Sequence, residues 1–293
     1  MISARLERQQ MNLNWRSGIK LTNTIVLALI IPIIIVVIWE FFAVRLDNPA
    51  LLPKVEAVID RLAHPFTDLL NTGSYLRHIV ISASRVILGF ILAMLIGIPL
   101  GLLVGRYVLV HRLFSPIIEI LRPLCPIAWI PFALVIFKTY TVAEIFGVRY
   151  TTSIFGHIQL GMLFVIFYGG FFPVFLNTVH GVKSVKNILI ESALLLGADK
   201  NQLFRKVIVP SALPAILTGL RIGLGVSWMV IIAAEMLPGS DAGIGYLIMF
   251  SYELAEMDIL IAGMMLIGAV GAMLSYVVKL IADQTSFWQA KER

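Results

Sequence analysis

The stretch ESALLLGADKNQLFRKVIVP, Glu191 to Pro210, carries two carboxylates and three cations between strongly apolar segments. It is broken by Gly197 and closed by Pro210, so it cannot itself cross a membrane. Three more cations, Arg85, Arg122 and Arg221, lie inside apolar runs, where an arginine costs about 2.5–3.5 kcal/mol on insertion scales. Catalytic constellations are missing. There is no G-x-x-x-x-G-K-[ST], and the dipeptide Gly-Lys does not occur in the 293 residues. There is no H-E-x-x-H and no C-x-x-C, and Cys125 is the single cysteine. The histidines, His64, His78, His111, His157 and His180, are scattered and mostly at span ends. No nucleotide hydrolysis, metal catalysis or internal disulfide is expected. Any ATP-driven role needs a second chain.

The elements that position these residues follow from composition. The chain is 59% hydrophobic and 14% charged, against about 25% charged in soluble proteins. This predicts an all-α, polytopic membrane protein. Six runs are long enough to span, at about 24–44, 80–104, 115–137, 157–180, 213–237 and 259–282, and only helices satisfy their backbone within one segment in lipid. The run from Thr24 exceeds a secretory h-region and lacks a clear cleavage site, so it reads as a retained span. A cytoplasmic segment, 1–23, precedes one membrane domain, 24–293.

Basic residues set the orientation. Placing the N-terminus inside puts 14 of the 23 lysines and arginines in cytoplasmic segments, against six outside. The net charge of +6 is therefore read as positive-inside bias and not as nucleic-acid binding. Both termini and the 181–212 loop fall in the cytoplasm. The last outer loop holds Glu235, Asp241, Glu253, Glu256 and Asp258 without a single cation. Val55, Val58, Ile59 and Leu62 give an outer interfacial helix, and GIGYLIMFSYEL a short re-entrant or surface helix.

Within the spans, Pro116, Pro123, Pro126 and Pro131 crowd the third, and interior prolines kink helices. Glu119 precedes Arg122 by three residues and can neutralise it. Gly97 and Gly101 allow close helix approach. Arg85, Arg122, Trp129, Arg221 and Glu235 are the candidate residues of a translocation route. For the arginines, packing or snorkelling at span ends is the competing reading.

Residues 187–196 form a first cytoplasmic helix, Gly197 stops it, and Asp199 with Gln202 caps a second. Leu203 and Val207 form the apolar side of that second helix, and Pro210 and Pro214 close the unit. An amphipathic projection of this kind suits docking into a partner's groove; a solvated, headgroup-facing loop is the alternative.

This unit resembles a known signature. Permease subunits of binding-protein-dependent ABC importers share Glu-Ala-Ala, three residues, Gly, nine residues, Ile-x-Leu-Pro. The chain reads Glu191-Ser192-Ala193, three residues, Gly197, nine residues, Val207-Ile208-Val209-Pro210, with Ser192 in place of alanine. The likeness runs from about Leu52 to Lys279. PSALPAILTGLRIGLGVSWMVIIAAEML and GIGYLI are similar to the branch importing nitrate, bicarbonate, sulfonates and taurine. KTYTVAEIFGVRYTTSIFG, 138–156, is longer than that branch's usual connection.

The resemblance implies a type I importer permease with six transmembrane helices in a bacterial inner membrane, paired with a second copy. Two cytoplasmic ATP-binding subunits would carry ATP and Mg, and an extracytoplasmic binding protein would deliver the substrate; this chain itself would bind no cofactor. The coupling helix would lie between helices 4 and 5 and use Glu191, Ser192, Ala193, Gly197, Ala198 and Asp199. The favoured cargo is nitrate or bicarbonate, then a sulfonate or taurine. A stand-alone secondary transporter or channel is the rival reading, but it usually places acids at mid-membrane, and few occur here. A membrane scaffold without a route is the third.

Overall fold

The computed structural model describes residues 29–137, 140–145, 147, 154–237 and 239–285. The 1–23 segment, the start of the first expected span, and most of 138–156, including Lys138 and Arg149, lie outside the described residues. All regular structure among the described residues is helical, apart from one isolated bridge between Thr141 and Gln159.

Five helices are long and apolar enough to cross a membrane. They are α1 (Leu29–Leu46), α3 (Tyr75–Arg106), α7 (Leu160–Lys183), α10 (Val209–Glu235) and α12 (Met257–Thr285). The short helix α2 (Val55–Ala63) follows α1. Between α3 and α7 lie α4 (Val108–Leu121), α5 (Ile130–Phe137) and the single turn α6 (Val142–Ile145). The loop between α7 and α10 contains α8 (Asn187–Leu195) and α9 (Lys200–Leu203), and α11 (Ile244–Glu253) precedes α12.

The third expected span is not one kinked helix. It is α4 and a 3₁₀ turn, Pro126–Trp129, leading into α5, with an 86° bend between the two halves. Pro116 remains inside α4, and Pro131 begins α5. Pro123 and Pro126 supply the break, because each lacks the amide that would continue the ladder. The carbonyl of Leu121 at the break accepts from the Tyr168 hydroxyl at 2.5 Å. Glu119 accepts from Ser115 Oγ at 3.2 Å, and no Glu119–Arg122 ion pair forms among the described residues.

α3, α7 and α10 form the core. α7 is buried over 67% of its most apolar stretch, whereas α1 is buried over 6%. α3 and α7 run parallel and close. A Cβ on Gly89, Gly97, Gly101 or Gly105 of α3 would meet Ile166, Val174, Thr178 or Val182 of α7, respectively. The constant offset keeps one glycine face against one helix throughout. α10 packs antiparallel on α7, where a Cβ on Gly223 would lie 2.9 Å from the Gly170 carbonyl. Val86, Phe90, Ile166, Val174, Leu224 and Ile231 fill the centre.

α1, α2 and α12 are tied at one end. Trp39 donates to the Pro53 carbonyl, and the Val55 amide donates to Glu40. Arg61 pairs with Asp258 at 2.8 Å, and Tyr75 donates to the Ile259 carbonyl.

Gly101→Val places its Cβ about where Thr178 Cβ and the Phe175 carbonyl already sit, 2.6 and 2.9 Å away. Overpacking of this kind costs roughly 1–3 kcal/mol. The variant is expected to unfold in detergent at lower temperature than the wild type, while Gly225→Ala, with nothing within 4 Å, leaves the midpoint within a degree or two. Equal midpoints for both would show that α3 and α7 do not depend on this contact.

Candidate functional site

The loop between α7 and α10 is built from local signals. α8 ends in a glycine corner: the Gly197 amide donates to the Leu194 carbonyl and the Ala198 amide to that of Ala193, each at 3.0 Å. With Gly197 at φ +81°, this is a Schellman stop. Asp199 then caps α9. Its carboxylate accepts from the Asn201 and Gln202 amides at 2.8 and 2.6 Å, and Gln202 Oε1 accepts from the Asp199 amide at 3.2 Å. The expected capping box is present.

The chain beyond the capping box differs from expectation. α9 does not end at a proline. It passes through one π turn, Phe204–Ile208, into α10, giving one continuous 36-residue helix from Lys200 to Glu235. Pro210 falls in the first turn of α10, where its missing amide costs least, and Pro214 is carried inside the helix. Leu203, Phe204 and Ile208 pack with Val182 and Ile216.

The loop is held to the bundle by Arg106 at the end of α3. Its guanidinium donates to the Lys200 carbonyl at 2.9 Å and lies 4.5 Å above the Phe204 ring. This contact joins residues 94 apart and escapes sequence reading, which sees Arg106 only as a cytoplasmic cation. Glu191, Ser192 and Gly197 are exposed, Ala193 and Ala198 half-buried. Leu195 and Leu196 are 89% and 88% exposed. Two leucines so bare in a capped, anchored unit form an apolar surface that the described residues do not cover.

Two of the expected route residues meet each other. Arg85 and Glu235, 150 residues apart, form an ion pair of 2.7 Å with both side chains fully buried. Arg85 also donates to the carbonyls of Ala242 and His157, at 2.7 and 2.9 Å. Glu235 accepts from Ser82 Oγ and from the Gly245 amide at 3.1 Å, and Ser82 Oγ accepts from the Ile244 amide at 2.9 Å.

The carboxylate thus sits at the last residue of α10, where the helix dipole disfavours it, and against the first amides of α11, which favour it. A Cβ on Gly243, at φ +121°, would land on the Glu235 carboxylate. The Gly243 amide donates to His78 Nδ1 at 3.1 Å, which leaves the proton of a neutral ring on Nε2, beside Thr72 Oγ1 at 3.3 Å. Asp241, at the rim, contacts His157 Nδ1 at 2.9 Å. Nothing in the sequence connects Ser82, His78 or Gly243 to Arg85; only the opposite charges of two apolar spans hint at a pair.

The other three candidates stand apart. Arg122 is exposed at the break after α4. Trp129 is half-buried, its ring 5.3 Å from those of Phe132 and Tyr168. Arg221 faces a cleft of about 670 Å³ between α10 and α12. No group of three or more metal-ligating side chains occurs among the described residues.

Beyond its geometry, the chain has relatives. Residues 97–285 match the family described as the binding-protein-dependent transport system inner membrane component. The chain is 44% identical, over 94% of its length and 98% of the other's, to a Methanocaldococcus jannaschii protein provisionally named as an ABC transporter permease. It is 35% identical to the bicarbonate transport system permease CmpB of Synechococcus elongatus, over 81% of each chain. To the taurine transport system permease TauC of Escherichia coli it is 29% identical, over 99% of this chain and 98% of that one. Among solved structures, an inward-facing MetNI methionine ABC transporter chain superposes with a TM-score of 0.55. That match covers 72% of this chain and 95% of the other at 18% identity, and shows a shared fold.

Removing one member of a buried pair strands the other charge and costs about 3–5 kcal/mol, whereas replacing both with apolar groups is often neutral. Arg85→Met is therefore expected to lower thermal stability in detergent sharply, and Arg85→Met combined with Glu235→Met to recover part of the loss, since the His157 and Ala242 carbonyls and the Gly245 amide stay unpaired. A double variant as unstable as the sum of the two singles would show that the charges do not interact.

Proposed function

Because the chain belongs to the family of binding-protein-dependent transport system inner membrane components, we propose that it is the permease of an ATP-driven importer that forms the route for a small anion. The cargo is nitrate or bicarbonate first, a sulfonate or taurine next. The observation that carries this reading is the capped and anchored α8–α9 unit, with its uncovered leucines, in a chain that has no phosphate-binding motif. A coupling surface must be rigid to transmit force and uncovered to meet a partner; this unit is both.

Charge bias supports the orientation. Lys183, Lys186, Lys200, Arg205 and Lys206 cluster around the unit, which supports a cytoplasmic position for it and for both termini. ATP-binding subunits dock there, carrying ATP and Mg. The opposite end, with Asp241, Glu253, Glu256 and Asp258, receives an extracytoplasmic binding protein. A second copy of the permease completes the route. The cargo class is supported by the named functions of relatives, among them the bicarbonate permease above and a nitrate import permease of Leptolyngbya laminosa at 32% identity.

Nothing lies within 4 Å of a Cβ on Gly197, so a side chain there is open to a partner, though its φ of +81° also strains the corner by about 1–2 kcal/mol. Glu191→Lys and Gly197→Asp are expected to leave the protein in the membrane at normal levels, to lose co-purifying ATPase subunits, and to abolish uptake. Wild-type uptake by either variant would remove the coupling role. Radiolabelled uptake by the whole transporter, compared for nitrate, bicarbonate and taurine, tests the cargo. Failure with all three would remove the anion class and leave the coupling result standing.

A further inference from the structure

The cleft between α10 and α12 contains a second cation beside Arg221. Lys279 of α12 and Arg221 of α10 line the same space. Depth along α10 makes this informative. Arg221 lies 12 residues from Val209 and 14 from Glu235, roughly 18 and 21 Å at 1.5 Å per residue. It lies eight residues into the fifth apolar run, 213–237, and is exposed on the wall of the cleft. An arginine held there faces protein or water. Yet neither Arg221 nor Lys279 has a hydrogen bond or ion-pair partner among the described residues.

The remaining walls sharpen the chemistry. Among the described residues no acid lines the cleft. Thr218 spends its hydroxyl proton on the Pro214 carbonyl at 2.9 Å. Ser275, on the α12 wall, has no partner among the described residues and is free to donate. Two cations, one planar and forked and one a point charge, plus a hydroxyl donor, with no carboxylate among the described lining residues, are complementary to a small oxyanion. The space, about 670 Å³, holds such an ion with part of its water.

We propose that Arg221, Lys279 and Ser275 form an oxyanion-binding station in the membrane-embedded part of the route. This rests on the anion-importer reading and gives it a place. The same donors would suit the phosphate of a lipid headgroup, so the test separates the two sources.

Two readouts are needed, one independent of transport. In the purified whole transporter, nitrate or bicarbonate slows acetylation of Lys279 by an N-hydroxysuccinimide ester at least threefold, followed by peptide mass spectrometry, and Arg221→Gln abolishes that protection. In liposomes with ATP and loaded binding protein, Arg221→Gln and Lys279→Gln each cut uptake at least tenfold while ATP hydrolysis stays within twofold of wild type. Should either glutamine variant fail to assemble, Arg221→Lys and Lys279→Arg decide: they keep the charge, and they are expected to retain uptake within a few-fold.

Absence of protection by both anions would overturn the station, as would undiminished uptake by the glutamine variants or lost uptake in assembled charge-keeping variants. A phospholipid retained by the wild type and lost from both glutamine variants in native mass spectrometry would assign the cleft to a headgroup, and also overturn it. A wild-type transporter that moves neither anion would sink the cargo assignment, while the protection of Lys279 would still decide the site.

Discussion

The structure turns on a charge that lipid cannot solvate. Arg85 and Glu235 are buried where α3, α10 and the start of α11 converge, and neither is tolerable there alone. Their pairing fixes more than two side chains. The guanidinium gathers the carbonyls of His157 and Ala242, and the carboxylate gathers the Gly245 amide. Ser82 and His78 bind the amides of Ile244 and Gly243. Backbone of the α10–α11 connection, which is irregular at this depth, is satisfied by side chains of α3, the condition under which non-helical backbone survives near a membrane core.

The glycines set the distance at which this can happen. Parallel packing of α3 on α7 brings the helices close enough for Gly89, Gly97, Gly101 and Gly105 to touch side chains and carbonyls of the neighbour. In lipid, association relies on such close contact because apolar burial offers little between helices. The same closeness brings Arg85 to the His157 carbonyl, just before α7 begins. Packing and the ion pair are therefore one arrangement.

The parts legible in the sequence are those settled locally. The glycine stop, the Asp199 capping box and the apolar stripe of α2 each depend on residues within about ten positions, and each is formed. The parts that escaped depend on distance. Arg85 and Glu235 each read as isolated charges, because their contact spans 150 residues. The third span reads as one kinked helix because hydropathy is blind to direction; the 86° turn comes from two missing amides acting within four positions, with the Tyr168 hydroxyl of α7 satisfying the carbonyl left open. Pro210 misled in the opposite sense. A proline stops a helix that precedes it, but it is at ease in the first turn of the next, and a π turn joined the two.

That junction carries the mechanical consequence. Because α9 and α10 are continuous, one helix of 36 residues, roughly 54 Å long, runs from the Asp199 cap to Glu235. The proposed coupling unit, the Arg221 cleft and the buried ion pair are three levels on that one rod, and Arg106 clamps its lower end to α3. A partner that tilts the coupling unit cannot do so independently of the upper levels unless the rod bends. Its built irregularities are the π turn at Phe204–Ile208 and the interior Pro214, both between the clamp and the cleft's upper wall, since a π turn and a missing amide are where helices bend. Coupling in the proposed importer is then a contest between tilt of a stiff helix and flexure over that short stretch. The side chains of Leu203, Phe204 and Ile208, packed against Val182 and Ile216, weigh the outcome towards tilt.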